Sequence, residues 1–307
     1  MDIQEIIQSD PRLSTLPSIY FQFREAVEDP ELSFVEVAEI ILQDPGLTEK
    51  ILRMVNSAFF GFSQKIETVS NAIGVIGTDS LESLILSTVV QKKFKDIPDS
   101  KINLKSFWRH SVASALISKS IAEKIKQGKP EKFYIAALLH DIGWLVMCNQ
   151  LPEKTVEILT RSKEEDKLLQ VIENEELGFD HAQLGGALLE RWGLPQIYRE
   201  AVGFHHAPHL TPVYRLEASV VYLSTIMADS LNLGCSGESF VVPDIKNEEK
   251  AWNQIQLPLE SVLPEIESDV EEKYEDTVSA FLQVALNLKN QSCGKPVVKI
   301  SALPPSF

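Results

Sequence analysis

His110, His140-Asp141, His181, His205-His206 and Asp229 form an ordered series of imidazoles and carboxylates, and five of the chain's six histidines belong to it. The adjacent pair lies in Tyr134-Ile-Ala-Ala-Leu-Leu-His-Asp-Ile-Gly143, an apolar run where ionisable groups are costly unless paired or ligated. Imidazole and carboxylate together make a ligand set suited to Fe, Mn, Zn or Ni. Each residue alone has an ordinary explanation. His110, within Trp108-Arg-His-Ser111, could donate to a backbone carbonyl. His205, His206 and His209 follow the end of an apparent helix, where imidazoles commonly meet the last carbonyls. Asp229, within Met227-Ala-Asp-Ser230, could cap a helix or pair with a cation. The ordered set as a whole favours a site for one or two divalent first-row ions.

The elements that must position these groups read as helices. Ser33-Phe-Val-Glu36 has capping-box spacing, followed by Phe34, Val37, Ala38 and Ile41 at helical intervals. Asp44-Pro-Gly46 breaks that helix, and Leu47, Ile51, Met54, Val55 and Ala58 supply the apolar stripe of the next. A third opens near Asp79, with Glu82 three residues on, and carries Leu81, Leu84 and Ile85. Helical pattern resumes from Phe107 to Ala122 and from Tyr134 to Met147, which places His140-Asp141 inside a helix. Asp180 is placed to cap a helix from His181 to Trp192, stopped by Gly193 and Pro195. Gly185-Gly186 inside it each cost about 1 kcal/mol relative to alanine, and close helix–helix approach is preferred to ligand contact as their reason. Ile266, Val270, Tyr274, Val278, Phe281, Leu282 and Ala285 share one face of a later helix, expected to pack on its own domain. Lys289–Phe307, with Gly294 and three prolines, is expected to be extended or partly disordered. No period-two alternation persists, so the fold class is all-α.

The order H…HD…H…HH…D resembles that of the HD superfamily of metal-dependent phosphohydrolases. Ile40-Ile-Leu-Gln-Asp-Pro-Gly-Leu-Thr-Glu-Lys-Ile-Leu-Arg-Met-Val-Asn-Ser-Ala-Phe-Phe-Gly61 and Asp180-His-Ala-Gln-Leu-Gly-Gly-Ala-Leu-Leu-Glu-Arg-Trp-Gly-Leu-Pro195 narrow the resemblance to the HDOD family, the HD-related output domains of bacterial signalling. The similarity runs from about Leu16 to past Gly237. It implies an HD-like helical bundle with an N-terminal helical HDOD bundle. The parts expected are an N-terminal helical part at 1–100, an HD-like bundle holding the cluster at 101–237, and a C-terminal helix with an extended tail at 238–307. Polar Phe94–Lys101, with Pro98, marks the first boundary. The resemblance also implies one octahedral-type site from His110, His140, Asp141 and Asp229. Asp141 would bridge to a second ion held by His181 with His205, His206 or both.

Catalysis is a separate matter. The HD-GYP cyclic-di-GMP phosphodiesterases of the same superfamily carry a lysine after HD-x-G, where this chain has Trp144. They also carry a GYP-type motif after the histidine pair, where it has Ala207-Pro-His-Leu210. Without a cation to stabilise developing phosphoryl charge, efficient phosphodiester hydrolysis is not expected. Arg109, Arg191, Arg199 and Arg215 are possible substitutes that no spacing singles out. The function implied is a regulatory module of signal transduction with a protein partner. The alternative is an active metal-dependent phosphohydrolase on a nucleotide or cyclic dinucleotide.

Composition narrows the classes further. Acidic residues outnumber basic ones 44 to 29, a formal net charge of −15, which disfavours nucleic-acid partners. Asp44-Pro-Gly46 between short helices has the layout of a helix-turn-helix, but the second helix offers only Lys50 and Arg53 beside Glu49. Cys148, Cys235 and Cys293 lack CxxC spacing, so neither disulfide framework nor thiolate site is expected. Met1-Asp-Ile-Gln-Glu lacks the basic and apolar regions of a secretory signal, and no apolar stretch approaches the ~20 residues of a membrane span. A cytoplasmic protein without membrane attachment is expected. Phe59, Phe60 and Phe62 beside Asn56-Ser-Ala58 look suited to a bundle meeting a neighbour. They motivate the expectation that the two bundles pack as one unit whose shared surface carries function.

Overall fold

The computed structural model describes residues 2–98, 102–126, 128–235 and 242–282. Helices alone, with short 3-10 turns, make up the regular structure of those residues. In chain order they are α1 (Ile3–Ser9), α2 (Ser18–Glu28), α3 (Phe34–Leu42), α4 (Pro45–Val55), α5 (Val69–Lys93), α6 (Leu104–Ile125), α7 (Pro130–Leu139), α8 (Ile142–Gln150), α9 (Pro152–Glu165), α10 (Leu169–Leu177), α11 (His181–Arg191), α12 (Gln196–Gly203), α13 (Arg215–Ser230), α14 (Glu249–Ile255) and α15 (Leu259–Leu282). They group into two compact units. One contains the described residues up to Ser14 and those of Asp96–Val270; the other contains Thr15–Lys95 and the described residues from Glu271.

In the smaller unit, α2, α3 and α4 pack on α5. The capping box of Ser33 and Glu36 starts α3, and Asp44 accepts from Gly46 and Leu47 N–H to start α4. Val37, Ala38 and Ile41 are buried as their spacing requires, whereas Phe34 is exposed. The helix expected from Asp79 is the second part of α5, which is broken at Gly77 (φ 78°). The first part, capped by Thr68, was not legible. By length and composition α5 could span a membrane, with mean hydropathy 1.4 over 18 residues, contrary to the expectation that no stretch approaches this. The break at Gly77 and the burial of 61% of that window account for it as a core helix. Lys50 is buried, its Nζ 4.4 Å from the centre of the Phe281 ring, and Arg53 pairs with Glu49.

In the larger unit, α6 packs against α7 and α13, and α11 against α8 and α12. The first residues join this unit rather than the rest of 1–100. Asp2 and Glu5 form a capping box, Ile6 and Ile7 are buried, and the Trp192 indole donates to Leu13 O at 2.7 Å. Helix α15 is shared between the units, with Ile266 and Val270 buried in the larger, and Tyr274, Val278 and Phe281 in the smaller. Leu282 is half-buried; Ala285, the Lys289–Phe307 tail and Cys293 lie outside the described residues.

Close approach explains the glycine pair. A Cβ on Gly186 would lie 2.9 Å from Gly203 Cα, and one on Gly185 3.0 Å from Val202 Cγ1, so α11 meets α12 backbone to backbone at Gly186 and backbone to side chain at Gly185. Gly143 is tighter, since its Cβ would lie 2.0 Å from His181 O.

Candidate metal centre

The expected helix from Tyr134 to Met147 is two helices, and the His140-Asp141 pair is their junction. His140 caps α7, and Asp141 (φ −95°, ψ 14°) precedes α8. The cause is local. The His140 ring Nδ1 donates to Ala137 O at 2.6 Å while the backbone N–H reaches the same oxygen only at 3.5 Å, so the helical ladder loosens and α8 restarts with Trp144 N–H on Asp141 O. The two side chains therefore need not diverge as neighbours on one continuous helix would.

All seven expected residues come together, and all lie in the larger unit. The Asp141 carboxylate is the hub. Its Oδ2 is 2.8 Å from His140 Nε2 and 3.9 Å from His110 Nε2; its Oδ1 is 3.4 Å from His181 Nε2 and 3.6 Å from His205 Nε2. His206 Nε2 lies 2.9 Å from His181 Nε2, and Asp229 Oδ1 lies 3.5 Å from His110 Nδ1. Ligand atoms of His110, His140 and Asp141 form one group within 4.8 Å of one another, and those of His181, His205 and His206 form a second. Both members of the 205–206 pair take part, and His209 does not.

Tautomers make this geometry specific. A carbonyl only accepts, so His140 Nδ1, on Ala137 O, and His205 Nδ1, on Val202 O at 2.7 Å, carry their protons. In the neutral ring each Nε2 then turns a lone pair toward Asp141. Burial, with the neighbouring imidazoles of His206 and His140, pushes His205 well below the ordinary histidine range and keeps it neutral. Burial acts to raise Asp141, but when His140 and His181 take up a second proton their positive charge and N–H bonds hold it well below the usual carboxylate range, so it ionises before they lose that proton. Both Asp141 oxygens and His205 Nε2 are buried without a hydrogen-bond partner. Buried lone pairs facing one another are repulsive unless a cation lies between them, and this N and O donor set fits a first-row divalent ion.

One participant was missed by sequence reasoning. Glu173 on α10 is fully buried, accepts His181 N–H at 2.9 Å and receives His181 Nδ1 at 2.7 and 2.9 Å. It fixes that ring as Ala137 and Val202 carbonyls fix theirs. Lying in Glu173-Asn-Glu-Glu176, it has no spacing that separates it from exposed neighbours. Gly234 was likewise unread as part of the site. At φ 94° it packs its backbone on α6, where a Cβ would lie 2.3 Å from His110 N. Glu200 closes the loop after the histidine pair, accepting Val213 and Tyr214 N–H at 2.9 Å each. Burial acts to raise its carboxyl, but those two donors carry it below the usual range.

Trp144 is buried, with its ring edge toward His181 at 6.0 Å between centroids. Among the four arginines, Arg109 is buried, Arg191 exposed and Arg199 paired with Glu190. Arg215 lines a recess together with His206.

A helical unit that gathers imidazoles and carboxylates from several helices around one buried aspartate has the HD-like architecture. The HDOD domain model matches residues 13–208, and the chain belongs to the HDOD family. Asp229 lies beyond the matched span. An "Uncharacterized protein" of Treponema pallidum (strain Nichols) is 27% identical over 208 residues, which cover 67% of this chain and only 40% of that protein. The fold is similar to that of an HDOD domain protein of unknown function from Geobacter sulfurreducens (TM-score 0.78, 24% identity, 91% of this chain and 97% of that one). A candidate phosphohydrolase from Shewanella amazonensis SB2B (0.71, 18%, 91% and 97%) and a candidate signal transduction protein from Marinobacter aquaeolei VT8 (0.65, 19%, 87% and 58%) are also similar.

Proposed function

We propose that the chain is a regulatory module of bacterial signal transduction, acting on a protein partner in the cytoplasm, whose His/Asp centre holds a divalent first-row ion and does not turn over phosphodiesters efficiently. The observation that carries the metal is the Asp141 carboxylate, buried without a hydrogen-bond donor among imidazoles whose far nitrogens are already engaged. His110, His140, Asp141 and Asp229 would hold one ion; Asp141, His181, His205 and His206 a second. Such an ion would acidify a bound water and stabilise phosphoryl charge. What speaks against turnover is Trp144, apolar and buried against His181 where the HD-GYP resemblance calls for a lysine.

The second reading, a phosphohydrolase, is favoured by the two donor groups sharing Asp141, a layout suited to two ions. A cyclic-di-GMP assay of the metal-supplemented chain separates the two. The regulatory reading predicts no hydrolysis or a very slow one. Turnover of about 1 per second or faster, lost in His140→Ala, would establish the phosphohydrolase instead.

A further inference from the structure

A recess of about 290 Å³ adjoins the centre, lined by His206, His209, Arg215, Ser219, Tyr222 and Lys250. Several cations elsewhere are neutralised, as in Lys92–Asp44, Arg53–Glu49, Lys124–Glu265, Lys154–Glu176 and Lys167–Glu175. Here Arg215 gives its Nε to Thr211 O at 3.1 Å, and no carboxylate among the described residues pairs with Arg215 or Lys250. Arg215 and Lys250, converging unpaired in a concavity on a chain of net charge −15, are an anion site in waiting. Arg215 supplies the planar fork that suits a phosphoryl group, and Ser219 adds a hydroxyl. Glu248 shares the lining and disfavours a longer polyphosphate.

Two walls of this recess, His206 and Tyr222, also bound an inner hollow of about 30 Å³ beside His205 and Asp229. That volume suits one water, so a larger ligand stays in the outer recess. There it rests against the imidazole that stands 2.9 Å from His181 Nε2.

We infer that this outer recess binds a phosphate dianion, free or as a small phosphomonoester, through Arg215, Lys250 and His209, against the His206 wall of the His/Asp centre. The inference deepens the regulatory reading by naming what the module senses, yet the recess itself stands without a metal. The test is isothermal titration of the full chain with inorganic phosphate and with 5′-AMP at low ionic strength, before and after treatment with chelator. Binding at millimolar concentration or below is expected for at least one of them, and the two arms tell free phosphate from a monoester. It should persist after chelator and weaken at least tenfold in the Arg215→Gln/Lys250→Gln double variant, whose circular dichroism and melting should match the parent because both side chains are exposed. Binding that vanishes with chelator would place the anion on the metal and overturn the inference. So would the absence of binding to about 10 mM, or an unchanged double variant. A chain that never holds metal but still binds phosphate would overturn the metal reading alone.

Discussion

At the scale of single residues, Asp141 and Glu173 have opposite relations to their neighbours. Asp141 receives no hydrogen bond and faces lone pairs; Glu173 is fully engaged and acts through His181. Replacing Glu173 with Gln keeps the volume but offers an amide N–H toward His181, disturbing its tautomer. Metal affinity should fall about 10- to 100-fold in competition against a chelating dye, with the fold retained by circular dichroism. An unchanged affinity would remove Glu173 from the site. Lys50 presents a different burial problem. Desolvation lowers its pKa from 10.5 to about 7, while the Phe281 ring offsets part of the cost of the charge. Because the folded value lies below the unfolded one, the penalty is fully present below about pH 7 and fades as pH rises toward 10.5. Lys50→Met should therefore stabilise the protein by on the order of 1 kcal/mol near pH 6 in denaturant titrations, and by much less near pH 10. Equal effects at both pH values would argue against a buried ammonium.

At the scale of elements, the centre depends on how closely α8 and α11 approach. Gly143 has no room for a methyl group, because His181 O and Gly185 N would stand 2.0 and 2.7 Å from it, and both are backbone atoms. Gly143→Ala should cost about 3 kcal/mol and loosen metal binding by moving His181 from Asp141. A variant with parental stability and metal content would refute that coupling. Much of this framework was legible beforehand. The Ser33 and Asp180 caps, the Gly185-Gly186 contact and the residues of the cluster follow from capping chemistry, periodicity and the HDOD resemblance. The helix break at His140-Asp141 was not legible, because apolar residues on both sides hide it and its cause is a side-chain bond to Ala137 O. The first part of α5 was missed although Val69, Ala72 and Ile73 stand at helical spacing, because only about two turns precede the break at Gly77. Glu173 was missed because a buried acid within an acidic run looks solvated until its partner is placed.

At the scale of the molecule, the net charge of −15 and the cation-lined recess beside the centre fit the proposed module, one that takes a small anion and a protein partner rather than nucleic acid. The larger unit carries every residue of the centre, and α1 packs back on α11 within it, so truncation through α1 disturbs that unit directly. All of these functional assignments turn on whether the lone pairs around Asp141 enclose a cation. Elemental analysis of the full chain, purified without a polyhistidine tag or chelator after growth with added Fe, Mn, Zn and Ni, tests this most directly. The account predicts at least one first-row ion per chain, lost in Asp141→Ala. Substoichiometric metal under every supplement, with a melting temperature that chelator leaves unchanged, would contradict it.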